Sequence, residues 1–137
     1  MTKSNLNTKN KIPKSVVEVK DLKVQFQLKD KIVKAVDGIS FNINKGETIA
    51  IVGESGSGKS VTALSLMRLT DYSGGRIVSG EINLQSKSNL NLNLTQLDQE
   101  KMRDIRGNDI SMIFQEPMTS LNPLHNIEKQ ISECFEK

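Results

Sequence analysis

The sequence has few of the residues that stabilise secreted or membrane-spanning proteins. Its 137 residues include one cysteine, one tyrosine, three prolines and no tryptophan. A single cysteine excludes an intrachain disulfide and is typical of a reducing compartment. No stretch approaches the roughly 18 consecutive apolar residues of a membrane-spanning helix, and the polar N-terminus is unlike a secretory signal. The composition therefore predicts a protein of a reducing cytoplasm without a membrane span.

The charge of the chain does not indicate a nucleic-acid partner. The formal net charge is +3, and four lysines lie within the first 14 residues. A nucleic-acid interface needs a concentrated basic face, which this pattern does not provide. Residues 1–14 are polar and lack periodicity, so they are predicted to be a disordered lead-in.

Alternating and continuous apolar segments predict two kinds of strand. Apolar residues occupy every second position over 22–28 and again over 39–43, which predicts two half-buried strands that pair in an antiparallel sheet. Residues 49–52 and 110–114 are apolar without this alternation, so the first predicts a strand buried on both faces and the second a short strand. A further strand is predicted over 80–84. The Asn/Leu stretch 86–94 is compatible with either a strand or a solvated loop.

Three segments have features of helices. Val61, Leu64 and Met67 recur at helical spacing, which predicts a helix from residue 59 or 60 to about residue 69. Residues 95–98 resemble a capping box that opens a helix to about residue 106, where Gly107 would end it. A final helix is predicted over 127–135.

The most specific motif follows the apolar run 49–52 and ends where the first helix begins. It is the pattern G-x-x-x-x-G-K-S, from Gly53 through Gly58 and Lys59 to Ser60. Glycines allow the loop to adopt positive φ angles and let backbone N–H groups converge on phosphate oxygens, while the helix N-terminus adds a positive field. Lys59 would reach the β- and γ-phosphates, and the Ser60 hydroxyl would bind Mg²⁺. The alternative, a flexible Gly/Ser linker, does not explain why the loop joins a strand pattern to a helix pattern.

The sequence resembles the ATP-binding subunits of ABC transporters, and most closely those of oligopeptide and dipeptide importers, whose relatives include nickel importers. The matching segments are residues 35–41, 45–48, 53–65, 102–107 and 112–123. The resemblance implies an α/β fold, namely part of an ABC-type nucleotide-binding domain of the P-loop NTPase class with an N-terminal antiparallel β subdomain, over residues 15–137. A P-loop kinase or GTPase would need a guanine-recognition or lid motif, and none is visible.

The resemblance also implies site residues for ATP and Mg²⁺. ATP would be bound by Gly53, Glu54, Ser55, Gly56, Ser57, Gly58, Lys59, Ser60 and Val61. Phe26 matches an aromatic residue that stacks on adenine, although the strand alternation alone explains it as a core residue. Gln115 matches a glutamine that reaches Mg²⁺ and the attacking water. The resemblance therefore implies Ser60 and Gln115 as metal ligands, and Lys59 and Gln115 as catalytic residues.

The implied function is to energise peptide import by ATP hydrolysis at the cytoplasmic face of the membrane. The implied partners are permease subunits, a second ATP-binding subunit and an extracytoplasmic substrate-binding protein. Two motifs of the resembled subunits, a Leu-Ser-Gly-Gly-Gln signature and a strand ending in Asp-Glu, do not occur in the sequence. We therefore expect an N-terminal part of such a domain. The alternative function is a truncated, catalytically inactive remnant that at most binds nucleotide.

Overall fold

The structure, a computed structural model, describes residues 15–115, 121–133 and 135. Its main element is an antiparallel sheet of four strands in the order β2-β1-β3-β4. The strands are β1 (Ser15–Gln27), β2 (Ile32–Asn44), β3 (Gly75–Gln85) and β4 (Asn91–Asn93). Leu22 of β1 pairs with Ile39 of β2. The predicted antiparallel pairing of these two segments is therefore confirmed, as is the strand predicted over 80–84.

A bulge at Asp21 keeps one face of β1 directed at the core. Val19 is buried before the bulge and Leu22 after it, so buried positions change from odd to even numbers. Asp21 has a φ of 41°, and the pairing with β2 shifts register between Val19 and Leu22. One extra residue reverses the strand alternation, which restores the apolar face. Gly80 of β3 crosses here, where a Cβ atom would lie 2.5 Å from the Asp21 carbonyl oxygen.

The helices are short and lie between or after the strands. They are α1 (Lys59–Leu66), α2 (Gln99–Ile105) and α3 (Ile127–Ser132), with a 3₁₀ helix at Leu69–Ser73. Met102 and Ile105 of α2 join the buried cluster formed by the sheet, whereas α3 has no buried residue. The predicted start of α1 is confirmed. It ends earlier than predicted because the chain turns into the 3₁₀ helix through Arg68, which has a φ of 52°.

The N-terminus of α2 differs from the prediction. The cap is Asp98 rather than Thr95, and its side chain accepts a hydrogen bond of 2.8 Å from the Lys101 backbone N–H. Thr95 instead donates to Asn93, which ends β4. The prediction of a cap at residue 95 is therefore wrong, because the Thr95 hydroxyl already has a partner in the preceding turn.

The two apolar segments at 49–52 and 110–114 are not strands. Val52 is 87% exposed and Ile113 is 97% exposed. A strand buried on both faces needs neighbouring strands and covering layers. Among the residues that the structure describes, none pairs with either segment except through an isolated bridge between Arg106 and Ile110. The predictions of a strand at each segment are therefore wrong for the described part of the chain.

The Asn/Leu stretch 86–94, predicted as either a strand or a loop, contains both a turn and a short strand. A turn closed by a hydrogen bond of 2.8 Å from the Ser86 N–H to the Leu90 carbonyl leads into the short strand β4. The predicted disordered lead-in, 1–14, lies outside the described residues. Within the described ranges, no helix is long and apolar enough to cross a membrane.

Candidate nucleotide-binding site

The phosphate loop, residues 53–60, leads directly into the first turn of α1. Gly56 has a φ of 79° and Gly58 a φ of 88°, as the motif predicts for glycines in a tight anion-binding turn. Residues 53–57 and Ser60 are exposed. The first turn of α1 contains no acidic side chain, so nothing there offsets the positive end of the helix dipole. The loop is therefore open to a ligand and has the field that an anion requires.

The loop rests on β2 through Gly58. A Cβ atom at Gly58 would lie 2.3 Å from the Ala35 carbonyl oxygen. Gly58 also begins α1, because its carbonyl accepts the backbone N–H of Thr62 at 2.8 Å and the Thr62 hydroxyl at 2.9 Å. Glycine is thus required at residue 58 for both its φ and its closeness to β2. This contact fixes the start of α1 against the sheet.

Lys59 folds back across the loop that precedes it. Its ammonium donates to the carbonyl oxygens of Gly53 at 2.9 Å and Glu54 at 2.5 Å, and to the Ser57 hydroxyl at 3.3 Å. The Ser57 backbone N–H donates to the Glu54 carbonyl at 3.2 Å, which closes the turn. These bonds hold a positive charge inside the curve of the loop, where the phosphate would bind.

Phe26 lies near the end of β1 and is half-buried against the core cluster. Its ring lies over Gly75 of β3, where a Cβ atom would be 2.8 Å from the Phe26 Cζ atom. This contact gives Phe26 a packing role. Its stacking on adenine stays a prediction.

Gln115 is exposed, and no hydrogen bond joins it to the phosphate loop among the described residues. The roles of Ser60 and Gln115 as metal ligands stay predictions. The described residues also contain no cluster of three or more His, Cys, Asp or Glu side chains suited to a metal. Mg²⁺ is often bound through one or two carboxylates plus substrate phosphates. The exposed Ser60 hydroxyl in the first turn of α1 fits a metal held mainly by phosphate oxygens.

A group of side chains at the opposite end of α1 forms a network that the sequence patterns do not predict. We call it the arginine network, and it consists of Arg68, Asp71, Tyr72, Gln99 and Arg106. The Arg106 guanidinium donates to the backbone carbonyls of Met67 at 2.8 Å and Arg68 at 3.3 Å, just beyond the last turn of α1. It also donates to the Tyr72 hydroxyl at 3.2 Å and lies 5.4 Å from the centre of that ring.

The remaining bonds of the arginine network join the 3₁₀ helix to α2. Arg68 donates to Asp71 at 3.0 and 2.8 Å and to the carbonyls of Leu94 and Leu97. Gln99 donates to Asp71 at 3.1 Å and accepts from Tyr72 at 3.0 Å. The most distant partners in the chain are Arg106 and Met67, which are 39 residues apart. Only the motif 102–107, which contains Arg106, gave a signal in the sequence.

Several curated proteins are similar to this chain in sequence. The chain is 52% identical over 121 residues to the oligopeptide transport ATP-binding protein AppD of Bacillus subtilis, covering 88% of this chain and 35% of that protein. It is 50% identical over 118 residues to a putative peptide import ATP-binding protein of Brucella ovis, covering 86% and 35%. It is 49% identical over 122 residues to the glutathione import ATP-binding protein GsiA of Pectobacterium atrosepticum, covering 89% and 20%. The chain thus spans about a third or less of the length of these curated relatives.

The fold is similar to that of a solved ATP-binding cassette. The solved structure of the ATP-binding cassette MJ0796, a dimer bound to ADP and Pi, matches with a TM-score of 0.58 at 21% identity, covering 88% of this chain and 54% of that one. The profile of the family described as ABC transporter matches residues 36–136, which include the whole phosphate loop and the arginine network. The chain belongs to the ABC transporter family.

Proposed function

We propose that this chain is the phosphate-binding part of an ATP-binding subunit that energises the import of peptides. The observation that carries the proposal is the exposed phosphate loop, with Lys59 held inside its curve at the start of α1. The relatives named for oligopeptide, peptide and glutathione import favour a small peptide as the transported solute.

The residues of the loop have distinct roles in this proposal. The backbone N–H groups between Gly53 and Ser60 would bind the β- and γ-phosphates, and the α1 dipole would stabilise their charge. The Lys59 ammonium would exchange its carbonyl partners for phosphate oxygens without leaving the loop. Ser60, with the phosphates, would hold Mg²⁺, which neutralises charge on the transferred phosphoryl group when bound. Phe26 would stack on adenine, and Gln115 would orient the attacking water.

Transport requires components other than this chain. We propose permease subunits as the membrane partners, a second ATP-binding subunit as the dimer partner and a substrate-binding protein that delivers the peptide. The subunit would lie at the cytoplasmic face of the membrane, peripheral to it. Residues 15–137 would form part of one nucleotide-binding domain.

The first test measures ATP binding to the purified chain by calorimetry, with Lys59→Ala and the control Lys101→Ala. Lys59 makes three hydrogen bonds within the loop. Lys101 lies on α2, and its ammonium is 3.5 Å from the Asp98 carboxylate. Loss of a charge-assisted hydrogen bond costs about 1.5–3 kcal/mol, so we expect Lys59→Ala to weaken ATP binding roughly 10- to 100-fold. Equal affinities for both variants and the unchanged chain would contradict the proposal.

A second candidate function is a nucleotide-binding remnant without catalysis. The sequence lacks the Leu-Ser-Gly-Gly-Gln signature and the strand ending in Asp-Glu, whereas phosphoryl transfer needs groups that hold the metal and position the attacking water. The two functions differ in ATP turnover. Phosphate release above background by this chain alone, abolished by Lys59→Ala, would exclude the remnant.

A further inference from the structure

We infer that Arg106 is a positioning residue that ties the C-terminal end of α1 to the Gln115 segment, residues 107–115. This inference rests on the proposed function, since α1 carries the phosphate loop at its other end. It assigns a role to the arginine network, in which Arg106 contacts α1, the 3₁₀ helix and α2.

The C-terminal end of α1 has no cation of its own. The last carbonyls of a helix have no partner within it and carry partial negative charge. The last turn of α1 contains no basic side chain, and the chain leaves the helix through the left-handed residue Arg68. Arg106 supplies the missing cation from elsewhere in the chain, with donors on the Met67 and Arg68 carbonyls. A helix of eight residues is marginal without tertiary contacts, so this contact matters for how rigidly α1 holds the loop.

The backbone on both sides of Arg106 forms a closed turn. Arg106 itself ends α2, since its backbone N–H donates a hydrogen bond of 3.0 Å to the Met102 carbonyl. The turn that follows is closed by N–H bonds from Asp109 at 2.9 Å and Ile110 at 3.3 Å to the Ile105 carbonyl. Ile110 packs against the core cluster and forms the isolated bridge with Arg106. The start of the Gln115 segment is thus anchored on the residue whose side chain holds the end of α1.

The Arg106 guanidinium is the hydrogen-bonded link between the end of α1 and the start of the Gln115 segment. The two also share the core cluster, against which Val61 and Leu66 of α1 and Ile110 of the segment pack. Arg suits this position better than Lys, since its planar fork can donate to two carbonyls and the Tyr72 hydroxyl together. Arg106 therefore sets where the start of the Gln115 segment, residues 107–110, lies relative to α1.

The test follows methyl resonances of the purified chain by NMR as MgATP is added. Val61 and Leu64 report on α1, and Ile110 and Ile113 report on the Gln115 segment. In the unchanged chain we expect ATP to shift both pairs. In Arg106→Gln we expect the shifts of Ile110 and Ile113 to fall by more than half, the shifts on α1 to remain and the ATP affinity to drop about fivefold, the low end of a typical coupling between sites.

Arg103→Gln is the matched control, because Arg103 is an exposed arginine of α2, and its side chain makes no hydrogen bond or ion pair with α1 in the described part of the chain. It should behave as the unchanged chain. If the glutamine variant does not fold, Arg106→Lys replaces it in the test because it keeps the positive charge. We then expect an intermediate loss of the ATP-induced shift of Ile110.

Each outcome is decisive. If Ile110 and Ile113 shift equally in the unchanged chain and the Arg106 variants, or shift in neither, the inference is wrong while nucleotide binding stands. If Val61 and Leu64 do not respond to ATP in the unchanged chain, the proposed function fails and the inference fails with it.

Discussion

Gly58 and Gly56 provide a controlled comparison of what the phosphate loop requires. Both have positive φ, 88° and 79°. A Cβ atom at Gly58 would lie 2.3 Å from the Ala35 carbonyl oxygen, whereas a Cβ at Gly56 would meet nothing within 4 Å. Substitution by alanine therefore introduces the same backbone strain at both positions and a steric clash at Gly58 alone.

The expected magnitudes follow from these two terms. The left-handed conformation costs a non-glycine residue about 1–2 kcal/mol, which is the expected loss of stability for Gly56→Ala. At Gly58 the Cβ must move by about 0.7 Å to reach the 3.0 Å below which real contacts are essentially absent. Overpacking of this kind adds about 1–3 kcal/mol, so we expect Gly58→Ala to destabilise the chain by roughly 2–5 kcal/mol.

The assay is urea unfolding without nucleotide, monitored by circular dichroism. The absence of nucleotide matters because a new methyl group could also obstruct phosphate and so confuse the comparison. If Gly56→Ala and Gly58→Ala lower the free energy of unfolding equally, the contact between the loop and β2 does not hold the loop, and our reasoning is wrong. An unchanged stability for both would show that the loop detaches at no cost.

Two further predictions concern the 3₁₀ helix and the N-terminus of α2. Thr70 is fully buried, and its hydroxyl is the one buried side-chain polar atom without a hydrogen-bond partner in the described part of the chain. Because valine removes this unsatisfied group, Thr70→Val should raise the free energy of unfolding, measured in urea, by about 1–2 kcal/mol. A loss of stability would contradict this prediction. At Asp98, hydrogen bonding to the Lys101 backbone N–H holds the pKa of the carboxyl below its usual value. A lowered pKa contributes stability that is present above the ordinary aspartate range and is lost as the pH falls through the lowered pKa. Asp98→Ala should therefore unfold at less urea than the unchanged chain at pH 7 and at the same urea concentration in strong acid, while Asp98→Asn, which keeps an accepting oxygen, should retain most of the cap at both pH values.

Local patterns were sufficient to predict β1, β2 and the phosphate loop. The alternation at 22–28 and 39–43 reports which face of a strand is buried, and this depends little on distant residues. The start of α1 was predictable because glycine chemistry and the Lys-Ser pair fix where the loop becomes a helix. Leu28 marks the limit of this reasoning, since it continues the apolar alternation but lies beyond β1 and is exposed.

The predictions for 49–52 and 110–114 were wrong because the burial of a strand depends on its neighbours. Apolar residues favour strands only where another strand supplies backbone partners, and the described residues supply these segments with no more than the isolated bridge between Arg106 and Ile110. The arginine network could not be predicted for a related reason. Nothing near Met67 in the sequence indicates that its carbonyl accepts a bond from Arg106, which lies 39 residues away.

The exposed segments 49–52 and 110–114 have a consequence for handling the protein. Val52 and Ile113 lie in short, uncharged, β-prone runs whose backbone groups have no strand partner in the described part of the chain. Such runs pair readily with copies of themselves on other chains, which leads to aggregation. Since residues 49–52 immediately precede the phosphate loop, self-association would also restrict the loop. Solubility and nucleotide binding should therefore change together as the concentration of the chain is raised.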